Sequence, residues 1–179
     1  LSPATVNASG TFLTSIGGTS GTVTPASPWL SNKAPIMEAV IELTSIADIR
    51  LVCGFKLTTT PTLATDNDQA FIGFDTAHAT VPTRFRLSAS TGGTDSDQEA
   101  KDSSTQQRSI VAAATKYVLT VGVLATSRSP FFAINGIAVG PALPALTDAC
   151  GFFPVIGIQA LAGAAKAITV RSVTLSRTI

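Results

Sequence analysis

The fold class of this chain is decided by the run Phe131-Phe132-Ala133-Ile134-Asn135-Gly136-Ile137-Ala138-Val139. Two segments rich in β-forming residues flank the central Asn-Gly pair. Type I′ hairpin turns prefer this pair because both of its positions require positive φ. The run therefore predicts a β-hairpin with a two-residue turn at 135–136.

Alternation of apolar and polar residues extends this prediction to the rest of the chain. In residues 36–43, one face carries Met37, Ala39, Ile41 and Leu43, which is the pattern of a half-buried strand. Further strands are predicted at 49–57, 70–74, 84–89, 117–125, 155–160 and 167–176. No long amphipathic helix and no fixed repeat interrupts the series. The sequence therefore predicts an all-β chain, an antiparallel β-sandwich.

Two stretches have too few large apolar residues to supply a core. Residues 1–33 are rich in Thr, Ser, Gly, Pro and Ala, and they predict an extended N-terminal arm or a set of short edge strands. Residues 34–179 then form the sandwich domain. Within that domain, the polar stretch 90–108 is predicted to be an exposed loop or the tip of a hairpin.

The charge content excludes some function classes. Twelve Lys and Arg against eleven Asp and Glu leave a net charge of +1, so the field that draws proteins onto nucleic acid or anionic membrane is absent. No apolar stretch is long enough to cross a bilayer. Only 13% of residues are charged while 45% are hydrophobic, a composition that suits a protein docked in an assembly. Cys53 lies in an apolar run, which favours a free buried thiol, whereas sequence alone does not decide whether it pairs with Cys150.

The residues that carry acid–base or nucleophilic chemistry do not form a catalytic pattern. The single histidine, His78, lies among small residues and is predicted to be a surface loop residue. Glu38 and Glu42 share a strand face but stand roughly 13 Å apart along it. The carboxylate pairs of glycosidases are separated by about 5–10 Å. The sequence therefore predicts that the protein is not an enzyme.

No metal or cofactor site is predicted either. Asp66-Asn67-Asp68 and Asp95-Ser96-Asp97 offer oxygen ligands, but neither continues into an EF-hand pattern, so Asx-rich turns are expected. Gly17-Gly18 and Gly92-Gly93 lack the Lys-Ser or Lys-Thr of a phosphate-binding loop and are expected to be turns.

In the order of its strands, the chain resembles the concanavalin A-like jelly roll used in structural proteins of tailed bacteriophages. The residues that carry the resemblance are the strand from Tyr117, the hairpin at 131–139, the segment 154–159 and the closing strand 166–176. Residues 38–43, 51–55 and 69–75 fit its earlier strands, so the resemblance covers most of 36–179. The Glu-x-Asp-x-x-Glu strand of the glycoside hydrolases in this superfamily is missing, which removes their usual catalytic residues.

The resemblance, taken with the sparse charge, implies a virion structural protein. The leading expectation is a capsid cement or decoration protein that lies on the outer surface of the head, bridges major capsid protein subunits and forms a homo-oligomer, either a dimer or a trimer. The alternative is a receptor-binding or carbohydrate-binding module of a phage tail fibre, and a glycoside hydrolase comes third.

The N-terminal arm is the candidate partner-binding segment. It is too poor in apolar residues to form its own core, yet it carries spaced apolar side chains of the kind that order on binding. These candidate anchors are Val6, Phe12, Leu13, Ile16 and Trp29. Trp29 has a second interpretation as a sugar-stacking platform, but packing of the arm against the sandwich is favoured.

Overall fold

The computed structural model of this 179-residue chain describes residues 4–8, 12–14, 29–58, 66–80, 82–101, 110–162 and 166–178. The strands are β1 (Ala4–Ala8), β2 (Phe12–Thr14), β3 (Ile36–Leu43), β4 (Ile49–Lys56), β5 (Gln69–Asp75), β6 (Phe85–Thr91), β7 (Thr94–Glu99), β8 (Lys116–Val123), β9 (Pro130–Ile134), β10 (Ile137–Ala138), β11 (Phe153–Ala160) and β12 (Lys166–Ser176). A 3-10 turn, Ser31–Lys33, is the helical element of the described residues. No helix in these ranges has the length and apolar character needed to span a membrane.

The strands form two antiparallel sheets of six strands each. The first sheet has the order β1-β12-β3-β8-β9-β10, and the second has the order β2-β11-β4-β5-β6-β7. Apolar side chains from both sheets merge into one main core cluster between them. The predicted antiparallel two-sheet sandwich is confirmed.

The core follows from the period-two patterns. In β3, the residues Met37, Ala39, Ile41 and Leu43 are all buried on the inner face. The inner face of β4 likewise buries Ile49, Leu51, Cys53 and Phe55. Aromatic rings also join the two sheets. Phe85 of β6 packs edge to face against Tyr117 of β8, with 5.0 Å between the ring centroids. Burial of each large apolar side chain contributes about 1.5–3 kcal/mol, so the two inner faces hold the sheets together.

The predicted hairpin is confirmed. Its turn consists of Asn135 with φ 52° and Gly136 with φ 76°, between the paired strands β9 and β10. Asn135 also binds the neighbouring strand, because its Oδ1 accepts a hydrogen bond from Val118 N at 2.9 Å. The turn is therefore anchored to β8 as well as closing the hairpin.

Part of the polar stretch 90–108 is the tip of a hairpin, which is one of the two forms that the sequence predicted. Residues 94–99 form β7, which pairs with β6 across a turn at Gly92 and Gly93. β7 is the last strand of the second sheet, and its residues are exposed or half-buried, so it needs no apolar face. An edge strand without an apolar face has no alternation by which the sequence could reveal it. Residues 102–109 lie outside the described residues.

The N-terminal segment contributes an edge strand to each sheet. β1 pairs with β12, with Val6 opposite Ile168, and β2 pairs with β11, with Leu13 opposite Ile156. Trp29 is half-buried against the main core, and its carbonyl accepts a hydrogen bond from Phe152 N at 2.8 Å. The candidate anchor Ile16 lies outside the described residues.

Candidate functional site

The outer face of the second sheet carries the polar groups of a candidate site. Alternation directs Arg50 and Val52 of β4 away from the core, together with Gly73 and Asp75 of β5. The strand register places outward-facing residues side by side in three rows that run across the sheet. The first row is Gln159, Arg50 and Asp75, and the second is Gly157, Val52, Gly73, Arg86 and Glu99. The third row is Val155, Gly54, Phe71, Ser88 and Asp97. Arg50 in the first row and Arg86 in the second row lie on β4 and β6, the two strands that flank β5.

A cleft of about 220 Å³ opens on this face. Its walls include Arg50, Asp75, His78, Arg86 and Asp97, and Val52, Phe71 and Gly73 also line it. Gly73 leaves space at the centre because it has no side chain. A Cβ there would lie 3.2 Å from Phe71 Cε2 and 3.6 Å from Leu51 O.

Each arginine of the cleft is oriented by a carboxylate. Arg50 Nε donates to Asp75 Oδ2 at 2.8 Å, and its Nη1 donates to Gln159 Oε1 at 3.2 Å. Arg86 Nε donates to both carboxylate oxygens of Asp97 at 2.8 Å, and its Nη2 donates to the Asp97 carbonyl at 3.0 Å. Among the described residues, Arg50 Nη2 and Arg86 Nη1 donate to no protein acceptor, so these groups remain available to a ligand.

His78 contributes to the cleft, although the sequence predicted a surface loop histidine. It is half-buried in the connection after β5, and its Nε2 lies 3.5 Å from Asp97 Oδ2. Its Nδ1 accepts a hydrogen bond from Thr80 N at 3.2 Å, which places the proton of the neutral ring on Nε2. Each ring nitrogen of His78 therefore has a protein partner, Thr80 for Nδ1 and Asp97 for Nε2.

Ser88, His78 and Asp97 lie together but do not form a nucleophile relay. Ser88 Oγ donates to Asp97 Oδ1 at 2.9 Å instead of to the imidazole. A serine nucleophile needs a base that takes its proton, and here both side chains converge on the same carboxylate. The cluster orients Asp97 and, through it, Arg86.

The other candidate residues are not among the described residues that line the cleft. Glu38 and Glu42 are on β3 in the first sheet, where Arg171 Nη2 lies 2.6 Å from Glu42 Oε2 and Thr120 Oγ1 donates to Glu38 Oε2 at 3.4 Å. Asp66 is buried against Lys56, and Asp68 accepts from Thr147 N at 2.8 Å. No three His, Cys, Asp or Glu side chains within the described ranges lie close enough together to hold a metal ion.

Solved structures share this architecture. One is the alginate lyase AlyC3, with a TM-score of 0.59 and 7% identity over 86% of this chain and 69% of the lyase. The β-glucanase of Bacillus licheniformis has a TM-score of 0.53 and 14% identity, over 82% of this chain and 67% of the glucanase. The carbohydrate-binding module CBM66 from Bacillus subtilis has a TM-score of 0.51 and 12% identity, over 96% of this chain and 94% of the module.

The fold is the concanavalin A-like jelly roll. The identities of 7–14% to the solved structures establish this architecture and nothing finer. No family model matches the sequence, and no curated protein matches it. Since this fold occurs in enzymes and in binding proteins alike, the function has to be argued from the cleft.

Proposed function

We propose that the cleft on the second sheet binds a carbohydrate and that the chain is a binding module without catalytic activity. The observation that carries the proposal is the pair of guanidinium groups, Arg50 and Arg86, each fixed by a carboxylate and each with nitrogen atoms left for a ligand. Groups fixed before the ligand arrives lose little conformational entropy on binding.

The hydrogen-bonding groups of the cleft match those of a sugar. A sugar hydroxyl both donates and accepts, so it needs donors and acceptors side by side. Arg50 supplies free N–H groups next to Asp75, whose Oδ1 and Oδ2 each accept one hydrogen bond from the protein and retain a lone pair. The volume of about 220 Å³ is below the roughly 300–1,000 Å³ of pockets for drug-sized ligands. It suits a single sugar ring.

The proposal of binding without catalysis rests on how the acid–base groups are engaged. Asp97 accepts from Arg86 and Ser88, and His78 is held between Thr80 and Asp97. The only tyrosine, Tyr117, is buried in the core, where its hydroxyl accepts from Ala112 N at 2.8 Å. None of the described residues that line the cleft is a glutamate. The names of the similar structures include both lyases and a binding module. Because Asp97 and His78 are already bound to other protein groups, we favour binding over catalysis.

Binding to a glycan array, followed by calorimetry on the best ligand, tests the proposal. Gly73→Val fills the centre of the cleft and is expected to lower affinity by at least about tenfold with the fold retained. Arg50→Lys keeps the charge but loses the planar set of donors, and it is expected to weaken binding as well. Ala133→Val, on the outer face of the first sheet, is the matched control. The proposal is wrong if no glycan binds, if Gly73→Val binds as well as the wild type, or if the protein degrades the polysaccharide.

A second proposal is the capsid cement or decoration role on the head surface, in contact with the major capsid protein. It is supported by the low charge content of 13% and by the half-buried apolar side chains Val40, Val118 and Phe131 on the outer face of the first sheet. Deletion of residues 1–28 tests the N-terminal arm, and circular dichroism checks that the sandwich stays folded without the edge strands β1 and β2. If the deletion variant still occupies purified phage heads fully and protects them equally well against heat, the arm is not the attachment.

A further inference from the structure

A buried amine and a buried carboxylate lie in contact at the end of β4. Lys56 is the last residue of that strand, and its Nζ lies 3.2 Å from Oδ2 of Asp66. Both side chains are 0% exposed. The pair is not among the described residues that line the cleft. An amine and a carboxyl group held together in this way are the two reactants of an amide.

The surroundings of the amine favour its uncharged form. Nζ lies 4.9 Å from the centre of the Phe71 ring and donates a hydrogen bond to Gln69 Oε1. Burial lowers the pKa of Lys56, although the charge of Asp66 opposes the shift. A desolvated pair reduces its cost by moving one proton from Nζ to Oδ2, which leaves a neutral amine and a neutral carboxyl group. The neutral amine is a nucleophile.

A chain of hydrogen bonds fixes the position of this amine. Gln69 Nε2 donates to Ser90 Oγ at 2.6 Å, and Ser90 Oγ donates to Asp95 Oδ1 at 2.5 Å. The oxygen of the Gln69 side chain is therefore directed at Lys56. Reacting groups that are fixed in this way can reach effective concentrations of about 10⁵–10⁸ M.

The carboxyl group of Asp66 is held by donors on both oxygens. Oδ2 accepts from Leu57 N at 3.0 Å and from Thr58 N at 3.1 Å, while Oδ1 accepts from Thr58 Oγ1 at 2.6 Å. When an amine attacks a carboxyl carbon, negative charge develops on the oxygen that stays in the product. A donor placed at that oxygen stabilises the charge. The Thr58 hydroxyl lies where it can do so at Oδ1.

We propose that Lys56 and Asp66 condense into an amide that crosslinks their side chains. The lone pair of Nζ forms a bond to Cγ of Asp66, and the bond from Cγ to Oδ2 breaks. Oδ2 leaves as water with two of the three ammonium protons, and the third proton stays on the amide nitrogen. Ammonium and carboxylate thus give amide and water, with no change of net charge and no further reactant. The ion pair of the structure is the state that precedes this reaction.

A second lysine–carboxylate pair of the chain separates the effect of burial from that of distance. Lys101 Nζ also lies 3.2 Å from a carboxylate oxygen, Glu99 Oε2, but the Lys101 side chain is 51% exposed. Water solvates the charges of this pair, so it does not favour the neutral amine there. Around Lys56, burial also keeps bulk water from hydrolysing the product. We therefore expect a crosslink at Lys56 and none at Lys101.

Mass spectrometry of the purified full chain tests the proposal. The wild type is expected to be lighter than its sequence by one water, and to stay so after unfolding in urea. Trypsin cuts after Lys and Arg but not after an amidated lysine, so residues 51–84 are expected as one peptide that lacks one water. Cleavage at Lys101 is the internal control. The double variant Lys56→Met/Asp66→Asn removes both buried charges and is expected to have its full mass, and circular dichroism checks its fold.

The tryptic peptides also distinguish the crosslink from another loss of water. A succinimide at Asp66 removes one water as well, but it leaves Lys56 open to trypsin, so a light peptide 57–84 overturns the proposal. A wild type that keeps its full mass after days of incubation also overturns it, as does a crosslink at Lys101 in place of Lys56.

The rate of crosslinking tests the role of Thr58. Thr58→Val removes the donor at Oδ1 and is expected to slow the appearance of the crosslinked form after cell-free synthesis at least about tenfold. An unchanged rate in a folded Thr58→Val variant overturns the role given to this hydroxyl.

Discussion

Lys56 and Asp66 form an ion pair in which both side chains are fully buried, with 3.2 Å between Nζ and Oδ2. Burial lowers the pKa of Lys56, and the charge and hydrogen bond of Asp66 oppose that shift. Lys56 also donates to Gln69, while Asp66 accepts from Leu57 N at 3.0 Å and Thr58 N at 3.1 Å. The two desolvated charges therefore stabilise each other, and removal of either takes the opposite charge away from a buried ion.

Asp66→Asn is expected to lower the free energy of unfolding by about 3–5 kcal/mol, because it removes the carboxylate that lies 3.2 Å from the buried ammonium of Lys56. Urea denaturation measures the change. The matched control is Glu42→Gln, which breaks the exposed pair with Arg171 and is expected to cost about 1 kcal/mol or less. Equal losses in the two variants would contradict the role assigned to the buried pair.

The hairpin at 135–136 gives a second stability prediction. Asn135→Pro is expected to cost about 2–4 kcal/mol, because proline does not adopt the φ of 52° and has no N–H to donate to Val118 O. Asn135→Gly keeps both the backbone conformation and that donor, and loses only the side-chain bond to Val118 N, about 1 kcal/mol. The thermal unfolding temperatures of the two variants measure this difference in stability. If both variants unfold at the same temperature, the backbone conformation at Asn135 is not what holds the turn.

The fold could be predicted from the sequence because the patterns that indicate it are local. The alternation in β3 and β4 and the Asn135-Gly136 turn each report the conformation of a few neighbouring residues. β7 gave no such signal, because an edge strand with no apolar face need not alternate. Local patterns therefore predicted the sandwich and missed its polar edge.

The cleft could not be predicted from local sequence patterns, because the register between strands brings its residues together. Sequence places Arg50 and Arg86 on outward-facing positions of their strands, but it does not reveal that both strands flank β5. His78 looks like an ordinary loop residue until β7 brings Asp97 to within 3.5 Å of its ring. The pairing of strands distant in sequence is what assembles the site.

The two cysteines give a prediction about thiol reactivity. Both are free, and burial raises the pKa of Cys53 to about 12. Burial, with the charges of Asp68 and Asp66, also raises the pKa of Cys150 to about 12. Because the thiolate is the reactive form, alkylation of the folded protein by iodoacetamide at pH 8 is expected to be slow at both sites and fast in urea.

Mass spectrometry of the alkylated protein measures the two rates, and Cys53→Ser and Cys150→Ser assign them. Cys150 is expected to react before Cys53, because Cys150 is half-buried and Cys53 is fully buried. Labelling of Cys150 in the native protein at the rate seen in urea is the result that contradicts this prediction.

Glu99 gives a prediction about acid stability. Partial burial acts to raise the pKa of this carboxyl, but hydrogen bonds and charges from Arg84 and Lys101 outweigh it and hold the pKa below its ordinary value of 4.5. Lys101 Nζ lies 3.2 Å from Oε2, and Arg84 Nη1 contacts Oε1. A carboxyl with a lowered folded-state pKa contributes stability that is present above the unfolded pKa and is lost as pH falls through the folded one.

Glu99→Gln removes this titration, so its free energy of unfolding is expected to fall less steeply than that of the wild type as the pH drops below 4.5. At pH 7 the variant is expected to be the less stable of the two, because Arg84 and Lys101 lose their shared partner. Urea titrations at a series of pH values measure both slopes. Asp148→Asn is the control, since that side chain is 66% exposed and stands 4.0 Å from Arg128. If Glu99→Gln and Asp148→Asn give the same slope below pH 4.5, the Arg84–Glu99–Lys101 cluster does not contribute to stability in acid.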